Sequence, residues 1–150
     1  MSRCGYSDDH DDLALGRWRG QVTSSICGKR GQVFLHKALA ALDAIPDKKL
    51  YPNKLQGKDN CFCVVGAVAH HQGINITDTE DDDYFYLAQL MDVSQQMIQE
   101  LFYKNDEEFT YFSPVPERGF LNESSPEKRW KLMRDWVASQ IKTEGLTGAI

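Results

Sequence analysis

The sequence has no run of about eighteen consecutive apolar residues, the length that a transmembrane helix needs. Its first twelve residues include four aspartates and lack the apolar core of a secretory signal peptide. The sequence therefore predicts no membrane partner and a cytoplasmic location. In that compartment the four cysteines are expected to be free thiols, because disulfides are rare there.

Recognisable catalytic and calcium-binding motifs are also lacking. The acidic runs at 8–12, 80–83 and 105–108 do not combine alternating ligands, a central glycine and a closing glutamate, as an EF-hand loop does. There is no internal repeat and no coiled-coil heptad pattern. The sequence implies no cofactor, and these absences favour a non-enzymatic protein.

The composition that is present is typical of a globular domain, with 41% hydrophobic and 26% charged residues in 150. A chain of this length can bury a core without disulfides or metals. The net charge of −5 conceals a division, with +7 over residues 13–58 and −12 over residues 59–127. Such asymmetry indicates either a binding surface of one sign or two halves that neutralise each other across the fold.

Helical periodicity organises the chain. Two adjoining apolar rows at 32–44 predict a buried central helix, which Pro46 ends. A helix at 11–27 is expected before it, followed by a glycine-bracketed turn in which Gly28 would form a left-handed cap. Ser125 followed by Pro126 predicts the start of the last helix.

Three shorter segments complete the helical pattern. The apolar run at 61–73 fits a strand or a helix by periodicity alone, but its small residues and its final Gly73 favour a helix with Asn60 as N-cap. A short helix is expected at 84–91, and Ser94 would cap another.

The sequence thus predicts a mainly α protein. We expect a single domain over 1–150, folded as a compact bundle of about five or six helices with at most a minor short β element. Residues 1–10 would form an acidic lead-in, and residues 143–150 a frayed tail. Residues 109–124, rich in aromatics and prolines, would form a long ordered loop with a candidate strand at 109–112.

One segment combines the side chains that zinc prefers. Cys61, Cys63, His70 and His71 supply thiolate and imidazole groups. Only one residue separates the two cysteines, and no second pair follows. The sequence therefore predicts no metal, with a site at these four residues as a weak alternative. Buried free cysteines are common core residues. The same segment, 61–71, is the candidate pocket of an alternative function, that of an enzyme or a small-ligand-binding protein.

The basic region 17–49 gives another alternative, nucleic-acid binding through phosphate contacts. Two helices joined at Gly28 resemble a helix–turn–helix, but the second helix is rich in alanine and leucine and offers few side chains to read bases. The candidate contact residues are Arg17, Arg19, Lys29, Arg30 and Lys37.

Several short motifs occur together between residue 4 and about residue 137. They are Cys4-Gly5-Tyr6-Ser7-Asp8-Asp9, Gly28-Lys29-Arg30-Gly31-Gln32 with Phe34-Leu35, the run 40–46, Cys63-x-x-Gly66-Ala67, Asn105-Asp106-Glu107 and Glu127-x-Arg129-Trp130. With these motifs the chain resembles a family of small uncharacterised proteins of phages, prophages and proteobacteria. The resemblance implies a mobile-element setting and no catalytic residues. The stretch 109–123 is longer than the family pattern.

In that setting a small acidic protein is expected to bind and modulate a host protein. The resemblance and the −12 segment together favour a non-enzymatic, phage- or prophage-encoded interaction protein in the cytoplasm of a bacterial host. Its partner would carry a basic surface, and inhibition of a defence system is one such role. The expected acidic contact surface consists of Asp78, Glu80, Asp81, Asp82, Asp83, Asp106, Glu107 and Glu108.

Overall fold

The computed structural model describes Cys4 and residues 12–58, 61–108 and 125–142, apart from the side chains of Asp12, Glu107 and Glu108. This part of the chain contains six α-helices and no strand, which confirms the predicted helical bundle. A π-helical turn, Lys104–Glu108, extends the fifth helix. The helices are α1 (Asp12–Cys27), α2 (Lys29–Ala44), α3 (Val64–Gln72), α4 (Tyr84–Met91), α5 (Gln95–Tyr103) and α6 (Pro126–Gln140).

The other regions assigned from the sequence lie mostly outside the described residues. These are the acidic lead-in apart from Cys4, the loop at 109–124 with its candidate strand, and the tail at 143–150. Within the described ranges, β pairing is limited to one isolated antiparallel bridge between Gln56 and Phe62. None of the helices described is both long enough and apolar enough to cross a bilayer.

Helix α2 is the centre of the bundle, as predicted. It packs against α1, α3 and α6, and its buried face includes Phe34, Leu35, Ala38 and Leu42. The helix begins at Lys29, three residues earlier than the sequence indicated. A backbone hydrogen bond from the nitrogen of Gln32 to an oxygen four residues earlier already closes a turn there.

The expected left-handed cap at Gly28 is wrong. Gly28 has φ −70° and ψ 168°, which is extended backbone, and it serves as the N-cap of α2. The glycine that the packing requires is Gly31, because a Cβ there would lie 1.9 Å from the carbonyl oxygen of Ser25. The basic segment 29–31 is therefore the first turn of α2, in close contact with the end of α1.

The apolar run at 61–73 forms a helix, but the helix begins later than expected and has a different cap. Its N-cap is Cys63, not Asn60, and the Cys63 Sγ accepts a hydrogen bond from the nitrogen of Gly66 at 3.4 Å. Gly73 ends the helix with φ 72°, in the left-handed conformation that favours glycine. At Gly66 a Cβ would lie 1.8 Å from the carbonyl oxygen of Leu55, so α3 packs directly onto backbone.

Two predicted caps are confirmed. The Ser94 hydroxyl accepts the amide of Met97 at 3.1 Å, and the Ser125 hydroxyl accepts the amide of Lys128 at 3.1 Å. Among the apolar residues of α1, Val22 and Ile26 in its second half pack into the core, whereas Leu13 and Leu15 in its first half are exposed.

Candidate functional site

The segment 78–83, called here the acidic loop, divides its carboxylates between two roles. Asp78, Glu80 and Asp82 are exposed. The Asp81 Oδ1 accepts a hydrogen bond from the amide of Leu55 at 2.8 Å, and the Asp83 Oδ1 accepts the amide of Tyr86 at 3.1 Å as the N-cap of α4. Two aspartates therefore fix the loop, while the other three acids face solvent.

Two exposed aromatic residues follow the acidic loop at the start of α4. Phe85 is 62% exposed and Tyr86 44%, whereas Leu87, Ala88 and Met91 on the same helix are buried. Phe85 and Tyr86 were not identified as surface residues from the sequence. The signal was present, because the buried positions repeat at three- and four-residue spacing and positions 85 and 86 fall outside that row.

The assignment of Asp106 to the acidic contact surface is wrong, because this residue is only 5% exposed. Its Oδ1 accepts hydrogen bonds from the amide of Asn53 at 3.0 Å and from the Asn105 Nδ2 at 2.8 Å. The side chains of Glu107 and Glu108 lie outside the described residues.

Asp106 belongs to a buried group, called here the polar cluster (Asn105, Asp106 and Arg129). The Arg129 Nε donates to the carbonyl of Asn105 at 3.0 Å, and its Nη1 to the carbonyl of Leu50 at 3.3 Å. The Asn105 Oδ1 accepts the amide of Val64 at 3.1 Å. The motifs Asn-Asp-Glu and Glu-x-Arg-Trp therefore contribute residues that join α3, α6 and the end of α5.

The basic candidates do not form one free cationic surface. The Arg19 guanidinium donates to both carboxylate oxygens of the buried Glu100, at 2.9 and 3.0 Å, and so ties α1 to α5. Arg30 lies 3.5 Å from the carboxylate of Asp92. The other three candidates are exposed residues of α1 and α2: Arg17, Lys29 and Lys37.

The four candidate metal ligands at 61–71 do not come together as a metal site. Cys63 is fully buried as the cap of α3, whereas Cys61 is half-buried and His70 and His71 are exposed. Among the described side chains, no three His, Cys, Asp or Glu converge in a way that could hold a metal ion.

A cavity of about 500 Å³ lies beside this segment. Its lining includes Tyr51, Cys61, His70 and His71, together with the carboxyl-terminal half of α2. Burial, and after it the hydrogen-bonded Cys61 side chain, raises the pKa of the Tyr51 phenol above its usual value. At neutral pH the Tyr51 hydroxyl keeps its proton, as the hydroxyl of an ordinary tyrosine does, and it can donate a hydrogen bond.

The chain was compared with known protein families, curated proteins and solved structures. No protein-family model, curated protein or solved structure matches the chain.

Proposed function

We propose that this chain is a non-enzymatic interaction protein that binds a basic surface of another protein through the acidic loop. The observation that carries the proposal is the pairing of three exposed carboxylates with two exposed aromatic rings on neighbouring residues. Interfaces typically combine aromatic anchors with a charged rim, and complementary charge speeds association and excludes wrong partners.

The geometry of the acidic loop supports this proposal because the loop is already fixed. Asp81 and Asp83 hold its backbone through the amides of Leu55 and Tyr86. A segment held in place loses less conformational entropy on binding than a flexible one. Asp78, Glu80 and Asp82 therefore present their charges at little ordering cost.

The proposed partner is a bacterial host protein in the cytoplasm, with a component of a defence system as the first candidate. This part of the proposal rests on the resemblance to phage and prophage proteins. The partner would carry lysines or arginines around an apolar recess, to match the acidic loop and the side chains of Phe85 and Tyr86.

The test compares two triple variants that change the net charge equally. The loop variant carries Asp78→Asn, Glu80→Gln and Asp82→Asn. The control carries Asp43→Asn, Glu127→Gln and Asp135→Asn, at acids elsewhere whose side chains are 49%, 59% and 54% exposed. Each tagged protein is used to capture partners from a lysate of the bacterial host, and captured proteins are identified by mass spectrometry.

A specific partner should be retained by the original protein and the control variant and lost by the loop variant. Phe85→Ala should weaken the same capture, because the aromatic ring would be an anchor of the interface. Equal melting temperatures would show that all variants are folded. Retention of the partner by the loop variant at physiological salt would rule out the acidic loop as the contact surface.

A further inference from the structure

The cavity beside α3 has the size and the walls of a small-molecule site. Its volume of about 500 Å³ falls within the range of roughly 300–1,000 Å³ that is usual for ligand pockets. Part of the wall is apolar: Ala41 and Ala44 come from α2, Ile45 follows that helix, and Ala67 comes from α3. The small alanine side chains leave space between the two helices.

One side of the cavity is aromatic. The rings of Phe62 and His70 lie with their centroids 4.8 Å apart and their planes inclined by 31°. Both residues line the cavity. Aromatic pairs favour offset stacking, so a planar ligand could extend this pair. Tyr51 lines the same cavity, and its hydroxyl is a directional polar group.

The charges around the cavity do not favour an anion. Helices α2 and α3 both contribute residues from their carboxyl-terminal halves, where the helix dipole is negative. Asp47 adds a carboxylate to the lining. Lys49 is the lysine of the lining, and it lies 3.6 Å from the carboxylate of Glu127. An uncharged ligand avoids the cost of placing a negative charge beside these groups.

We propose that this cavity binds an uncharged planar heteroaromatic molecule of nucleoside size, stacked on Phe62 and His70 and hydrogen-bonded by the Tyr51 hydroxyl. The site is separate from the acidic loop, and it does not depend on the function proposed for that loop.

The first experiment uses adenosine, guanosine, cytidine and uridine as probes. A nucleoside present at about ten times its Kd should raise the melting temperature by about 3–6 °C. It should also slow alkylation of Cys61 by N-ethylmaleimide, measured by mass spectrometry. Cys27 is an internal control, because it is an exposed free cysteine outside the cavity, and its alkylation should not change.

The second experiment measures the Kd of the binding nucleoside by calorimetry in three variants. His70→Ala removes the exposed ring of the aromatic pair and should weaken binding about 3- to 10-fold. Tyr51→Phe removes the hydroxyl and should weaken binding several-fold. His36→Ala is the matched control, since His36 is an exposed histidine of α2 outside the cavity lining, and it should leave the Kd unchanged.

Three results would overturn the proposal. One is that no nucleoside changes either the melting temperature or the alkylation of Cys61. Another is that His70→Ala and His36→Ala bind as tightly as the original protein. The third is that a nucleoside monophosphate binds at least tenfold more tightly than its nucleoside, which would make the cavity an anion site.

Discussion

The acidic loop and the polar cluster both contain aspartates, yet these aspartates lie in opposite environments. Asp82 is exposed, whereas Asp106 is 5% exposed. Both aspartates lie in residues 59–127, the part of the sequence that carries a charge of −12. Composition therefore does not separate a surface aspartate from a buried one in this chain.

The difference follows from the backbone amides that each carboxylate meets. The segment 50–55 has no regular secondary structure, so its amides need acceptors from elsewhere. Asp106 accepts the amide of Asn53, and Asp81 of the acidic loop accepts the amide of Leu55. An aspartate in this chain has a structural role when its carboxylate accepts a hydrogen bond from such a backbone amide. An aspartate without that contact is available for binding.

The largest expected effect is on the polar cluster. Arg129→Met keeps much of the side-chain volume but leaves the buried carbonyls of Asn105 and Leu50 without their arginine donor. We expect the free energy of unfolding to fall by about 3–5 kcal/mol, measured by urea denaturation. Arg134→Met, on the more exposed side of α6, is the control and should cost much less. Equal losses in the two variants would contradict a structural role for the cluster.

A smaller difference in stability is expected between two neighbouring aspartates of the acidic loop. Asp83→Ala removes the cap of α4 and should lower the free energy of unfolding by about 1 kcal/mol. Asp82→Ala makes the same charge change one residue earlier and should stay within about 0.5 kcal/mol of the original protein. Thermal or urea denaturation of both variants checks the difference. If Asp82→Ala were the more damaging change, the proposed division of roles in this loop would be reversed.

The smallest effect is expected at Asp43, an exposed aspartate held by an arginine side chain. A hydrogen bond from Arg134 at 2.9 Å lowers the pKa of Asp43 below its usual value. A carboxyl group whose pKa is lowered in the folded state stabilises the fold at pH values above its unfolded-state pKa. This stabilisation is lost as the pH falls through the folded-state pKa. The difference in unfolding free energy between the original protein and Asp43→Asn should therefore shrink from pH 6 to about pH 3. A difference that grows on acidification would contradict the pairing.

The features that could be predicted from the sequence are local ones. The apolar rows of α2, the caps at Ser94 and Ser125 and the stop at Gly73 depend on residues within a few positions of one another. The register of the α1–α2 junction could not be predicted, because a backbone contact between Gly31 and Ser25 determines it.

The long-range part of the structure could not be predicted in the same way. Arg129 bonds to the carbonyl of Leu50, 79 positions away, and Asp106 to an amide 53 positions away. Four-residue spacing from Arg129 to the buried Met133 and Val137 was the one local signal that this arginine faces inward. The cavity likewise combines α2, α3 and the segment between them, which no single stretch of sequence reveals.

The contact at Gly66 has a consequence for how this sequence can diverge. The atom that a Cβ at position 66 would meet is the backbone oxygen of residue 55, not a side chain. No substitution at position 55 can therefore make room for a larger residue at position 66. Diverged relatives should keep glycine at this position while residue 55 varies, and the pair should show no covariation although the two residues touch.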